Sequence, residues 1–244
     1  MITDVRGILL IDAATFFVSA MLLSRLPKIP PSKPSGHSVV KDARDGLGYI
    51  LRTIPIRVIG IGFFAVVAFN GVDDVAMVFL AKDELHGSDS AASTLYAGAG
   101  IGLIAGFAIL ARYAGRMRMP VLMLLGFAVS SLGNLVTGLA WAIWAALALQ
   151  VIRGLGIACI DVGVNTHLQR VVPAHLRSRV FGNLYGAIGL AAGLSYLAGG
   201  LLLQHTDART TFIAAGAGGL IATVATAIAV RRSGDEASEP PVRR

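Results

Sequence analysis

Seven long apolar stretches divide the chain, over about residues 7–23, 54–80, 91–111, 119–140, 141–165, 180–203 and 211–230. Each approaches the roughly 20 apolar residues that a helix needs to cross about 30 Å of hydrocarbon. The polar gaps between them are of two kinds, and the kinds alternate. One kind carries Arg25, Lys28, Lys33, Lys41, Arg44, Arg52 and Arg57, then Arg112, Arg116 and Arg118, then Arg170, Arg177 and Arg179, and last Arg231, Arg232, Arg243 and Arg244. The other kind carries only Arg6, Lys82 and Arg209, while Arg153 lies within a stretch. Loops rich in Lys and Arg stay on the cytoplasmic side of a membrane. The alternation therefore predicts an N-terminus outside and a C-terminus in the cytoplasm.

The gaps also differ in length. The first, 25–53, is a basic linker. Its PKIPPSKPSG run cannot be helix, because prolines remove donors and fix an extended backbone. KDARDGLGYILRT then predicts an amphipathic surface helix leading into the membrane. A cleaved signal peptide is the other reading of the first stretch. Asp12 interrupts that stretch, and its basic flank follows the apolar run instead of preceding it, which favours a retained helix. Trp141 and Trp144 fall at interfacial depth, and the tail 233–244 reads as disordered. The predicted organisation is a transmembrane helix at 1–24, a cytoplasmic linker at 25–53, a six-helix unit at 54–232 and the tail. The six helices form two triples with short internal loops, one starting from the cytoplasm and the other from outside. Two such triples are the inverted repeat of secondary transporters. The expected fold class is an all-α membrane protein of seven transmembrane helices, one isolated helix plus a six-helix half with a 3+3 inverted repeat.

Composition agrees. Only 14% of residues are charged and mean hydropathy is strongly positive, too apolar for one water-soluble core. The net charge of +7 invites a nucleic-acid reading, but the basic residues flank apolar spans, so anionic lipid is the expected partner and nucleic acid is not. Cys159 is the single cysteine, so no intrachain disulfide forms. His37, His86, His167, His175 and His205 are scattered without metal-ligand spacing. No phosphate-binding glycine loop is present, so ATP is not the direct driver. No enzyme activity, metal or cofactor is expected.

Four segments resemble a known family. LLIDAATFFVSAMLLSRLP is similar to the sixth helix of major facilitator superfamily exporters related to siderophore and macrolide efflux proteins. GLGYILRTIPIR resembles the amphipathic run before their seventh helix, and GFAILARYAGRMRMP the basic loop between their eighth and ninth. NTHLQRVVPAHLRSRVFGNLYG resembles the loop between the tenth and eleventh, with Gln169, Pro173, Arg177, Arg179 and Gly182 at matching places. The likeness runs from about residue 7 to 232. It implies that the chain corresponds to helices six to twelve, with five helices outside it. It also implies gating roles for Arg112, Gly115, Arg116 and Arg118, and for Gln169, Pro173, Arg177 and Arg179. Where the family has an aspartate before the first arginine of the basic loop, this chain has Ala111, which leaves the charge relay attributed to that aspartate without its carboxylate.

Ionisable groups inside spans are costly and are candidate functional groups. Arg153 lies about 12 residues, roughly 18 Å, below the outer end of its span, and Gln150 shares its face. QVIRGLGIA resembles the arginine-plus-glycine motif of the superfamily's fourth helix. Either Arg153 contacts substrate or couples protons, or it is a structural arginine paired with a carboxylate or helix carbonyls. Asn70, Asp73 and Asp74 form an acidic patch, with Asp73 roughly 24 Å from the cytoplasmic end. It is either a cation or proton site or an exposed helix end near Lys82. Asn134 and Asp12 read as interhelical glue, and Asp161 and Asn165 either as a gate pair with Arg177 or Arg179 or as a solvated interface. Gly98, Gly102 and Gly106, and then Gly182, Gly186, Gly189 and Gly193, recur at spacings that let helices approach closely.

The reading that follows is the C-terminal portion of a proton-coupled efflux transporter for small amphipathic molecules, in the bacterial plasma membrane. Its partners would be a small-molecule substrate, protons, the lipid bilayer, and a missing N-terminal half or a second copy. The alternative is a transport-incompetent half that acts as a pairing module.

Overall fold

In the computed structural model, residues 5–26, 38–88 and 90–236 are described. The PKIPPSKPSG linker, Asp89 and the tail from 237 lie outside them. Two units divide the chain at residue 38. In the first, α1 spans Val5–Ser24 and carries an apolar run at Leu9–Ser24, with Thr15 Oγ1 donating to the Asp12 carbonyl at 2.7 Å. The second unit, the bundle, begins with α2 (Val39–Arg52) and contains α3 (Ile54–Asn70), α4 (Asp73–Phe79), α5 (Ala91–Tyr113), α6 (Met119–Thr137), α7 (Ile143–Val171), α8 (Arg177–His205) and α9 (Ala208–Glu236). Among the described residues, six helical segments are long and apolar enough to cross a membrane, and α1 adds a seventh, shorter apolar helix. The fold is an all-α membrane bundle.

The two triples interlock rather than sit side by side. The first is α3–α4, α5 and α6; the second is α7, α8 and α9. The extensive pairings run between triples: α5 with α7, α8 with α3, α6 with α7, α9 with α3, and α6 with α9. Exchanging the triples, first helix for first and so on, maps this set of pairings onto itself. That is the contact signature of a 3+3 inverted repeat.

Glycine sets the closest of these crossings. On α5, Gly98 faces Leu147, Gly102 faces the Val151 carbonyl, and a Cβ at Gly106 would come within 2.6 Å of Ala158 Cβ. From α7, Gly154 faces the Ala99 carbonyl. Gly186, Gly189 and Gly193 of α8 behave differently: a Cβ at any of them, or at Gly182, meets nothing within 4 Å. Among the described residues of the bundle, the expected close packing is absent at these α8 positions. Small residues of α8 that do pack include the fully buried Ala191, and Ser195 and Gly199 against Gly71 and Val72.

The span expected over 54–80 runs as one helical segment, Ile54–Glu84, with a local irregularity. α3 ends at Asn70, Gly71 and Val72 form a turn that keeps helical dihedral angles, and α4 continues from Asp73 before a π-turn at Leu80–Glu84. At the end of the bundle poor in basic residues, Arg209 holds three segments together. Its Nε donates to Glu84 Oε2 at 3.1 Å and one terminal nitrogen donates to the Ala140 carbonyl at 2.8 Å. Arg209→Ala is expected to lower stability by about 1–2 kcal/mol, read as a lower midpoint in a detergent thermal-unfolding scan. Asp207 caps α9 there, accepting from the Thr210 amide at 2.7 Å. That bond, with a smaller contribution from the Thr210 hydroxyl, holds the exposed carboxyl below the ordinary carboxylate range. The cap therefore persists above that range and is lost only as the pH falls through the lowered value.

At the basic end, α2 packs on α8. Arg179 pairs with Asp42 at 2.8 Å and reaches Asp45 at 3.7 Å, and Asn183 Nδ2 donates to the Ala43 carbonyl at 2.9 Å. Gly46 permits the approach, since a Cβ there would lie 2.8 Å from the Arg179 carbonyl oxygen. α9 continues through Glu236, so the first residues of the tail expected to be disordered are helical.

Candidate functional site

Three spans each bring a polar pair, spaced i and i+3, to one buried place. The pairs are Asn70 and Asp73 flanking the α3–α4 turn, Ser131 and Asn134 on α6, and Gln150 and Arg153 on α7. Residues three apart share a helix face, so each pair points one way. Asn70, Asp73, Ser131, Asn134 and Gln150 are all buried, the last completely. Arg153 and Asp73 form an ion pair, with the Asp73 side chain only 2% exposed and that of Arg153 12%. A terminal nitrogen of Arg153 also donates to Gln150 Oε1 at 3.1 Å.

The other half of the cluster is neutral. Asn70 Nδ2 donates to Ser131 Oγ at 2.8 Å, and Asn134 Nδ2 donates to Asn70 Oδ1 at 3.2 Å. Two glycines leave it room. A Cβ at Gly219 would lie 2.5 Å from Ser131 Oγ, and Gly133 lets the Arg153 stem pass against α6. Gln150 Nε2, Arg153 Nε, Asn134 Oδ1, Thr137 Oγ1 and Ser195 Oγ are buried without a hydrogen-bond partner. Unused polar capacity of this density is unusual inside a protein.

Asp74 points away from Asp73. Its amide donates to Asp73 Oδ1 at 2.9 Å, but its own carboxylate accepts from Tyr196 of α8 at 2.8 Å, and its carbonyl accepts from Tyr96 of α5 at 2.6 Å. Both tyrosine side chains are partly exposed. The two adjacent aspartates thus connect an exposed face, formed by α4, α5 and α8, to the buried ion pair.

Ionisable side chains buried beside an irregular turn of a spanning helix, inside an interlocked pair of helix triples, fit the architecture of a secondary transporter. The family model described as Major Facilitator Superfamily matches residues 58–244. The chain belongs to the major facilitator superfamily. A related superfamily protein is the "Uncharacterized MFS-type transporter YkuC" of Bacillus subtilis (strain 168), 25% identical over 191 residues. That alignment covers 73% of this chain and 44% of the relative, so the chain spans less than half of the relative's length.

The superfamily resemblance also singled out the basic loops, and the structure places them at one end. Arg112, Arg116 and Arg118 are exposed, and Gly115 lies in a tight turn with open space around it. Arg177 does not pair with Asp161. It closes the end of α7 instead, donating to the Gln169 carbonyl at 2.7 Å and the Val172 carbonyl at 3.1 Å, both just before the turn at Pro173. Arg179 binds α2, as above. Asn165 accepts from Tyr185 at 3.0 Å and donates to the Asp161 carbonyl at 2.8 Å. The gate pair considered for Asp161 and Asn165 is therefore not formed.

The sequence pointed to five of the six cluster residues and joined Gln150 to Arg153 and Asn70 to Asp73, but not these pairs to each other or to Asn134. Ser131 was missed, and so were Tyr96, Tyr196 and Ser195. The usable signal was the repetition of i, i+3 polar pairs in three different spans.

Proposed function

We propose that this chain forms one half of a proton-coupled exporter of small amphipathic molecules, working by alternating access in the bacterial plasma membrane. The observation that carries the reading is the Asp73–Arg153 pair, a buried ionic contact beside an irregular helix turn that joins the first triple to the second. Ionisable groups held inside a span mark proton and substrate pathways. In this reading the basic end faces the cytoplasm, with the C-terminus. Another half, from an N-terminal six-helix portion or a second copy, supplies the opposite wall.

The proposed cycle uses the two aspartates in turn. A proton reaching Asp74 from the open face passes to Asp73. Neutral Asp73 no longer holds Arg153, so the guanidinium keeps its bond to Gln150 and turns to the substrate, using its free Nε. Loss of the proton to the other side restores the ion pair and expels the substrate. The basic loops at Arg112–Arg118 and Gln169–Arg179 would gate the cytoplasmic end.

The test is accumulation of fluorescent amphipathic molecules that carry a hydrogen-bond acceptor and no positive charge, in cells producing the complete transporter. Asp73→Asn is expected to raise accumulation to the level of cells without transporter, at unchanged membrane abundance. Unchanged export in Asp73→Asn would sink the role of the pair. No export by the native protein, alone or with its other half, would favour a pairing module.

A further inference from the structure

Away from the polar cluster, a groove of about 920 Å³ opens on the outer side of the bundle. Its walls are α3, α6 and α9, and it lies toward the basic end. The lining is mostly apolar, including Val121, Leu125, Ala128 and Val224. Arg118 stands at one rim, immediately before α6, and Arg231 at the other, near the end of α9.

Neither arginine is among those tied to the bundle by a partner. Arg153, Arg179 and Arg209 each pair with a carboxylate, and Arg57 and Arg177 bind backbone carbonyls. Among the described residues, neither Arg118 nor Arg231 has an ion-pair or hydrogen-bond partner. His167 of α7 also lines the groove, and its Nε2 is buried without a hydrogen-bond partner. The amino end of α6 adds its dipole at the same rim, which favours an anion there.

We propose that the groove binds an anionic phospholipid, with its acyl chains along α6 and α9 and its phosphate between Arg118 and Arg231. The occupant follows from the two halves of the site. The apolar trough lies in the depth occupied by lipid tails. The paired cationic rim lies at headgroup depth, where basic pockets between spanning helices take acidic headgroups. A free phosphate would use the rim and leave the trough empty, so the proposal commits to the lipid.

Native mass spectrometry of the full chain, released from micelles holding equal amounts of phosphatidylglycerol and phosphatidylcholine, tests this. The native protein is expected to retain phosphatidylglycerol preferentially. Arg118→Gln and Arg231→Gln should each weaken retention about five-fold, and together about thirty-fold. Both side chains are exposed, so neither change threatens folding. Val224→Trp, which narrows the trough and leaves both charges, should also reduce retention. Arg112→Gln with Arg116→Gln, exposed at the same end but outside the groove, should not.

Equal retention of the two lipids would overturn the proposal. So would an equal loss in the Arg112 and Arg116 control, which would mean general surface charge. Full competition by glycerol 3-phosphate would overturn the commitment to a lipid.

Discussion

Arg153→Met is expected to destabilise the bundle by about 3–5 kcal/mol, because it leaves Asp73 buried, charged and unpaired. Few other single changes in this chain remove so much at once. The Asp73 carboxylate has 2% exposure and cannot turn to solvent. Among the described residues, its other hydrogen bond comes from the neighbouring Asp74 amide. Replacing both partners by apolar residues of similar shape removes the stranded charge, and such replacements are often neutral or stabilising. Asp73→Leu with Arg153→Met should therefore be far more stable than Arg153→Met alone. The check is a double-mutant cycle on reversible unfolding in mixed micelles. A single variant within about 0.5 kcal/mol of the native protein would show that the pair is solvated, contrary to the geometry.

Gly102→Leu is the second large effect. The Gly102 Cα faces the Val151 carbonyl so closely that any Cβ would overlap it. The obstacle is backbone, so no rotamer change relieves it, and α5 and α7 must separate. Overpacking of this kind costs about 1–3 kcal/mol and occasionally more. It should also loosen the cluster, because Gln150 and Arg153 ride on the α7 turns that Gly98 and Gly102 contact. Gly189→Ala or Gly193→Ala is the contrast. With open space at both positions, alanine should leave the chain's stability unchanged or raise it by about 0.5–1 kcal/mol through helix propensity. Thermal unfolding of the three variants, compared side by side, separates the two glycine stripes.

Those stripes show what the sequence can and cannot specify. Small residues four apart on α5 and on α8 look the same in one dimension. Only the fold reveals that one stripe faces α7 while a Cβ on the other meets no described residue of the bundle within 4 Å. The spans and their loop ends were legible, because hydrocarbon thickness and the cost of charge impose them residue by residue. Arg153, Asp73 and Asn134 were legible as candidates for the same reason. Their convergence was not, since it depends on which helices cross. The irregular turn at Gly71–Val72 was hidden because glycine is common in spanning helices and the apolar run continues on both sides. Asp42 and Asp45 looked like ordinary polar positions of a surface helix. Their pairing with Arg179 rests on a contact more than 130 residues away in sequence.

The central claim is that Asp73 carries the coupled proton. The direct measurement is proton counterflow from proteoliposomes containing the complete transporter and a pH-sensitive dye, after a transported amphipathic substrate is added on one side. The native protein should move protons against the substrate. Asp73→Asn with Arg153→Gln, which keeps the shape and removes both charges, should let the substrate equilibrate with no proton movement. Proton counterflow of native size in that variant would contradict the account.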